Sequence, residues 1–269
     1  MCHLLAHVSP SPATTTEIIG ADAAREWQSM GRLHADGWGT AWLDRDEVRR
    51  YRDPVRGSES PDLTDALGDT PSRARVTHLR MATEGMANRV QNTHPFRAGD
   101  VSLAHNGSIT PYARLRAKVT DAELARVGGD TDTAALFALI LRRYDAGEPL
   151  FDAVTATVAE LRREFPTSAM NLLILSTEEL IAVHANTGAP IPHDLFEASG
   201  LGDDLPADHV DHYYRLSWRR SEDGSIAVTS SGLTGAGWQE LSPESAVRVD
   251  LATLRIDVRE LAVAASVAA

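Results

Sequence analysis

Apolar runs along the chain alternate with polar breaks, and their spacing predicts a mixture of short strands and helices. Residues 2–8 are almost continuously apolar and read as a strand that Ser9-Pro10-Ser11-Pro12 ends. From Thr14 to Gly31, residues Ile18, Ile19, Ala23, Trp27 and Met30 recur at helical spacing, and Gly31 is the expected stop. His34-Ala35-Asp36-Gly37-Trp38-Gly39 leads into a strand ending near Leu43, with Glu47–Tyr51 as its hairpin partner. Residues 53–72 read as a surface segment with one short helix at Leu63–Leu67, and 75–82 alternate as a strand. Glu84 to Pro95 is irregular and polar. Val101–His105 is a short strand running into Asn106-Gly107, the leading hairpin-turn dipeptide.

Gly128 to Thr131 supplies a loop with helix-capping residues, and Asp132–Tyr144 follows as a helix apolar on most sides, hence buried. Leu150–Phe165 is a second, amphipathic helix closed by Pro166. Strands are predicted at Met170–Ser176, Leu180–Asn186, His212–Arg219, Ser225–Thr229 and Val247–Val258, the last with a bend. With neither repeat nor linker, residues 2–260 read as one α+β domain, and 261–269 as a frayed tail.

Composition narrows the class. A single cysteine in 269 residues excludes an internal disulfide and fits a reducing, cytoplasmic compartment. No secretory signal is visible, and no apolar run approaches the roughly 18 residues of a membrane span. A net charge of −12 argues against nucleic acid or an anionic membrane as partner.

Chemistry concentrates at that lone cysteine, Cys2, directly after Met1. Removal of Met1 would leave a thiol and an α-amine on one residue, with reference pKa values of about 8.5 and about 7.7–8.0. One residue could then supply nucleophile and base. His78 and Arg80 share a strand face, and Arg80 could fork onto a carboxylate or merely pair at the surface. Asn106 and Gly107 could supply oxyanion donors or a plain turn. Asp130 reads as a helix cap, Asp132 as the better partner for an ammonium, and His94 as a pocket residue or one satisfying its neighbours. Without HExxH or Cys/His pair spacing, no metal site is predicted.

Taken in order, Cys2, His34-x-Asp36-Gly37-Trp38-Gly39, Arg80-x-Ala82-Thr83, Asn92-Thr93-His94-Pro95, His105-Asn106-Gly107 and Thr131-Asp132-Thr133 resemble the class II glutamine amidotransferases, a branch of the N-terminal-nucleophile hydrolases. The chain looks most like the stand-alone type, similar to the γ-glutamyl amide hydrolase of the ergothioneine pathway. The resemblance implies a four-layer αββα sandwich in which Cys2 attacks a γ-glutamyl amide through a thioester. It implies Asn106 and Gly107 at the oxyanion, Arg80 with Thr83 on the α-carboxylate, Asp132 on the α-ammonium and His94 in the pocket. Asp36–Gly39 would be architecture beneath Cys2. The expected partner is a small γ-glutamyl substrate, with no cofactor. A separate synthetase taking up ammonia is the alternative, and a homo-oligomer stays open.

Overall fold

The computed structural model describes residues 2–82 and 87–262. In chain order the strands are β1 (Cys2–Ala13), β2 (Trp38–Asp44), β3 (Glu47–Asp53), β4 (Ser72–Arg80), β5 (Phe96–Ala98), β6 (Val101–Ser108) and β7 (Ala169–Leu175). They continue with β8 (Glu179–His184), β9 (Leu216–Arg220), β10 (Ile226–Ser230), β11 (Gln239–Glu240), β12 (Ser245–Asp250) and β13 (Ile256–Glu260). The helices are α1 (Thr15–Ile19), α2 (Ala21–Ser29), α3 (Pro61–Gly68), α4 (Tyr112–Arg116), α5 (Asp121–Val127), α6 (Asp132–Asp145), α7 (Leu150–Glu164), α8 (His193–Ala198) and α9 (Ala207–Asp211). One sheet has the order β11-β9-β10-β1-β4-β2-β3 and the other β13-β12-β8-β7-β6-β5, with antiparallel pairing throughout.

The two sheets pack face to face, and the strand period of two explains how. Leu4, Ala6 and Val8 of β1 meet Ala104, Leu173 and Leu175 of the opposite sheet in the central core. Leu5 faces the other way, onto Ile18, Ile19, Trp27 and Leu63 from the helices α1–α3. In β7 the same alternation sends Leu172 and Ile174 outward against Phe137, Ile140, Val154 and Val158 of α6 and α7. The result is the four-layer αββα sandwich. Strands covered on both faces read as continuous apolar runs, as 2–8 and 169–175 do. Each fully buried Leu side chain contributes about 1.5–3 kcal/mol. No helix among the described residues is long and apolar enough to cross a membrane.

Several expectations are corrected. The helix expected over 14–31 is divided at Gly20, whose φ of 94° belongs to neither helix; a capping box of Thr14 and Glu17 starts α1. Strand β1 runs past Val8 to Ala13, because its pairing with β4 is interrupted there and the exposed Pro10 and Pro12 cost no ladder hydrogen bond. Asn106-Gly107 makes no turn: both lie inside β6, opposite Asn171 and Met170 of β7. His212, Tyr213 and Tyr214 precede β9 rather than belonging to it, and the segment 247–258 is two strands joined by a turn. Of the expected tail, Leu261 is buried and its N–H donates to Glu244 O at 2.8 Å, while 263–269 lie outside the described residues.

Candidate active site

Cross-strand neighbours share a face, so the register Cys2↔Arg80 and Leu4↔His78 sets Cys2, Arg80 and His78 on the inner side of their sheet. Asn106 lies two residues from Ala104 of the central core, and so also points inward, from the other sheet. The backbone N–H of Cys2 donates to Asn106 Oδ1 at 3.0 Å, which joins the sheets at this end of the sandwich. Because Cys2 N is a donor, the amide oxygen must face it, and Asn106 Nδ2 is left buried without a partner. Such an orphaned donor costs about 1–3 kcal/mol and asks for a functional account.

One cleft is lined by Cys2, Arg80, Asn92, His94, Gly107 and Asp132. Cys2 is 5% exposed, with Sγ 3.9 Å from Met81 O, while the phenol of Tyr213 donates to Cys2 O at 3.0 Å. Gly107 could be nothing else: a Cβ there would lie 2.0 Å from Ala169 O. Asp132, in the first turn of α6, accepts from Ile109 N and Thr133 N, both at 2.8 Å. The cap of that helix is Thr131, whose hydroxyl accepts from Ala134 N; Asp130, expected to cap, instead pairs with Arg89 at the surface at 2.5 Å.

Arg80 is buried, and its guanidinium donates to Asp36 O at 3.3 Å, Asn88 Oδ1 at 2.9 Å and Ala87 O at 3.3 Å. Thr83, expected beside it, lies outside the described residues, as does Met1. The Asp36–Gly39 segment is structural. Asp36 Oδ2 accepts from Ala82 N at 2.7 Å, and a Cβ on Gly39 would meet His94 O at 2.2 Å.

His94 Nδ1 accepts from His105 N at 3.4 Å and lies 3.0 Å from His78 Nε2, which also approaches His105 O at 3.3 Å. One proton placement satisfies all three contacts: His78 carries its hydrogen on Nε2. His105 bridges Thr133 Oγ1 at 2.9 Å and Ala169 O at 3.0 Å. Burial lowers the pKa of His78 to about 3 and that of His94 well below the usual range. For His105 burial also dominates, against the opposing pull of the Asp132 carboxylate. The imidazoles near Cys2 are therefore neutral at pH 7.

Sequence reasoning missed Tyr213 as a partner of Cys2, since nothing local marks a contact across 211 positions. It also missed the grouping of histidines. Among the described residues, two sets bring potential metal-ligating atoms within 4.8 Å of one another: Cys2 with His78 and His94, and His3 with His34 and His209. A larger cavity of about 370 Å³, lined by Asp100, Arg126, Glu178 and Arg248 among others, contains none of the expected site residues.

The profile of the glutamine amidotransferases class-II matches residues 1–248. The glutamine–fructose-6-phosphate aminotransferase of Mycobacterium tuberculosis is 32% identical over 170 residues, 61% of this chain but 26% of that protein. The chain thus spans about a quarter of the length of that relative. The γ-glutamyl-hercynylcysteine sulfoxide hydrolase of Mycolicibacterium smegmatis is 29% identical over 196 residues, covering 68% of this chain and 79% of that one. A glutamine aminotransferase class-II domain protein from Silicibacter pomeroyi superposes with a TM-score of 0.63 at 20% identity, over 97% of this chain and 100% of the other. The glutamine phosphoribosylpyrophosphate amidotransferase of B. subtilis superposes with a TM-score of 0.62 at 16% identity, over 97% of this chain and 49% of its own. With the sandwich fold, and with a family profile matched over nearly its whole length, the chain belongs to the class II glutamine amidotransferases.

Proposed function

We propose that the protein hydrolyses a γ-glutamyl amide, glutamine or a γ-glutamyl conjugate, through a thioester on Cys2. The observation that carries this reading is the bond from Cys2 N to Asn106 Oδ1, which leaves Asn106 Nδ2 buried and open at the cysteine. Once Met1 is removed, the Cys2 α-amine takes the thiol proton and the sulfur attacks the amide carbonyl. The carbon–sulfur bond forms as the carbonyl oxygen becomes an oxyanion, stabilised by Asn106 Nδ2 and the Gly107 N–H. The ammonium returns its proton to the departing amine, the carbon–nitrogen bond breaks, and a thioester remains. Water then attacks, giving a proton to the Cys2 α-amine; the carbon–sulfur bond breaks, and the ammonium returns that proton to the departing sulfur, regenerating the thiol and the free amine. Arg80 would hold the α-carboxylate, exchanging its bonds to Asn88 and Ala87 for a bidentate pair, and Asp132 the α-ammonium. His94 would close one wall of the head-group pocket.

Hydrolysis is preferred to ammonia delivery because the similarity to the M. smegmatis hydrolase covers 68% of this chain and 79% of that relative. The test is amine release from a panel of γ-glutamyl amides, repeated with candidate synthetases added. Turnover that appears only with a synthetase present would favour the ammonia-delivery reading. Asn106→Ala should lower kcat by about 10²–10³-fold, equivalent to about 2.7–4 kcal/mol of transition-state stabilisation; an unchanged kcat would remove Asn106 from the oxyanion site. Arg80→Ala should raise KM for α-carboxylate substrates at least tenfold, about 1.4 kcal/mol or more, and leave analogues lacking that carboxylate unaffected. Equal losses on both substrates would mean that Arg80 only holds the loop.

A further inference from the structure

On the opposite face of β1 from Cys2, three histidines converge beneath the α1–α3 layer. We propose that His3, His34 and His209 form a binding site for one divalent transition-metal ion of the nitrogen-preferring kind, with Zn²⁺ as the type. They come from β1, from the turn following the 3-10 segment Met30–Arg32, and from α9, and each is at most 1% exposed. One ring nitrogen of each lies within 4.8 Å of those of the others. His3 stacks between Trp27 and His34, at ring-centroid distances of 5.5 and 5.4 Å, with His209 edge-on at 5.4 Å.

The hydrogen bonds around His209 fix its proton. The Ser231 hydroxyl has one hydrogen, which it donates to Tyr213 O at 3.1 Å, so toward His209 Nδ1, also 3.1 Å away, it can only accept. His209 therefore carries its proton on Nδ1 and has a bare lone pair on Nε2, which is buried without a partner. A metal-ligating imidazole held through its other N–H has this arrangement. Neither nitrogen of His3 has a hydrogen-bond partner, and these together with His209 Nε2 are buried polar atoms that ask for a functional account. The open nitrogens of His3 and His209 make no hydrogen bond to each other, yet lie close enough, within 4.8 Å, to be gathered by one ion. Zinc–nitrogen bonds of about 2.0–2.1 Å correspond to tetrahedral nitrogen separations of about 3.3 Å, so loading would contract the set. Three histidines with one further position is a familiar zinc donor set, and the group contains no sulfur that would favour a softer ion. An ion here would tie β1 to α9 and to Tyr213, which supports the Cys2 carbonyl.

The test uses the full chain, stripped with a chelator and titrated with Co²⁺ alone. The expected result is one equivalent bound, with visible d–d bands and no thiolate-to-cobalt charge-transfer band. The spectrum should be identical in Cys2→Ala, and Zn²⁺ should displace the cobalt and raise Tm. His209→Gln should weaken binding more than about 100-fold, and Ser231→Ala, which removes only the supporting acceptor, by about 10–100-fold. NMR of the cobalt-loaded wild type should show three hyperfine-shifted imidazole N–H protons, a readout that needs no variant to fold. No uptake, fewer than three such protons, or a thiolate band that vanishes in Cys2→Ala and so places the ion on Cys2, His78 and His94, would each overturn the site.

Discussion

Cys2→Ala is expected to lower turnover of any γ-glutamyl amide by about 10⁴–10⁶-fold, the scale seen when a covalent nucleophile is deleted. Among the described residues lining the cleft, the only other hydroxyls are those of Thr131 and Thr133, of which one caps α6 and the other contacts His105. Head-group binding should survive in the variant, because Arg80 and Asp132 are untouched, so a KM-like affinity should persist without chemistry. Intact-mass measurement belongs with the kinetics. The active form should lack Met1, and a glutamine-like electrophile should add once, at Cys2. An active enzyme retaining Met1 would eliminate the α-amine as base, and undiminished turnover by Cys2→Ala would eliminate the thioester.

The second large effect is a loss of stability in mild acid. Burial lowers the pKa of His7 to about 3, with the neighbouring Arg75 guanidinium adding to it against a contact to Ser72 O. His78 is lowered equally, to about 3, again chiefly by burial, with the Arg80 charge working in the same direction and the His105 carbonyl against it. In the unfolded chain both titrate near 6.5. Their folded pKa values lie below the unfolded ones, so the stability they contribute is complete above about pH 6.5 and lost as pH falls toward about 3. At pH 5 each costs about 2 kcal/mol relative to pH 8, about 4 kcal/mol together, against the 5–15 kcal/mol typical of a folded domain. Urea unfolding at pH 8 and pH 5 should show at least that loss, because burial also lowers His94 and His209, and His7→Gln should reduce it by about 2 kcal/mol. Equal stabilities at the two pH values would contradict the burial of these rings as neutral species.

Much of the sandwich was legible because its central strands are covered on both faces and the helix α6 is buried almost all round. Both leave apolar runs that need no partner information to read. What was not legible depended on close approach. Asn106-Gly107 carries the strongest turn signal in the chain, yet lies in a strand, because Gly107 must pass within contact of Ala169 O while Asn106 reaches the other sheet. Gly20 has no neighbour within 4 Å of a would-be Cβ, and only its φ, which no local pattern encodes, divides the first helix. For the site, Cys2, Arg80, His94, Gly107 and Asp132 were expected together and do line one cleft, with the Asn106 side chain bonded at Cys2. Arg80 was expected on a carboxylate or in a surface pair but is buried and engaged by Ala87 and Asn88, residues in a stretch whose polar, irregular sequence predicts no particular geometry. Tyr213 and His209 arrive from beyond position 200, so their proximity to β1 is a property of the topology alone.

The alternation of β1 places two unlike chemistries on adjacent residues, sulfur toward the sheets and imidazole toward the helices. Sliding this strand by a single position would exchange them, burying a thiol against Trp27 and presenting a ring to the cleft. The start of the chain is thus a frame-setting device. An extension ahead of Cys2 that drags the strand along its neighbour is expected to abolish turnover, even where the fold accommodates it.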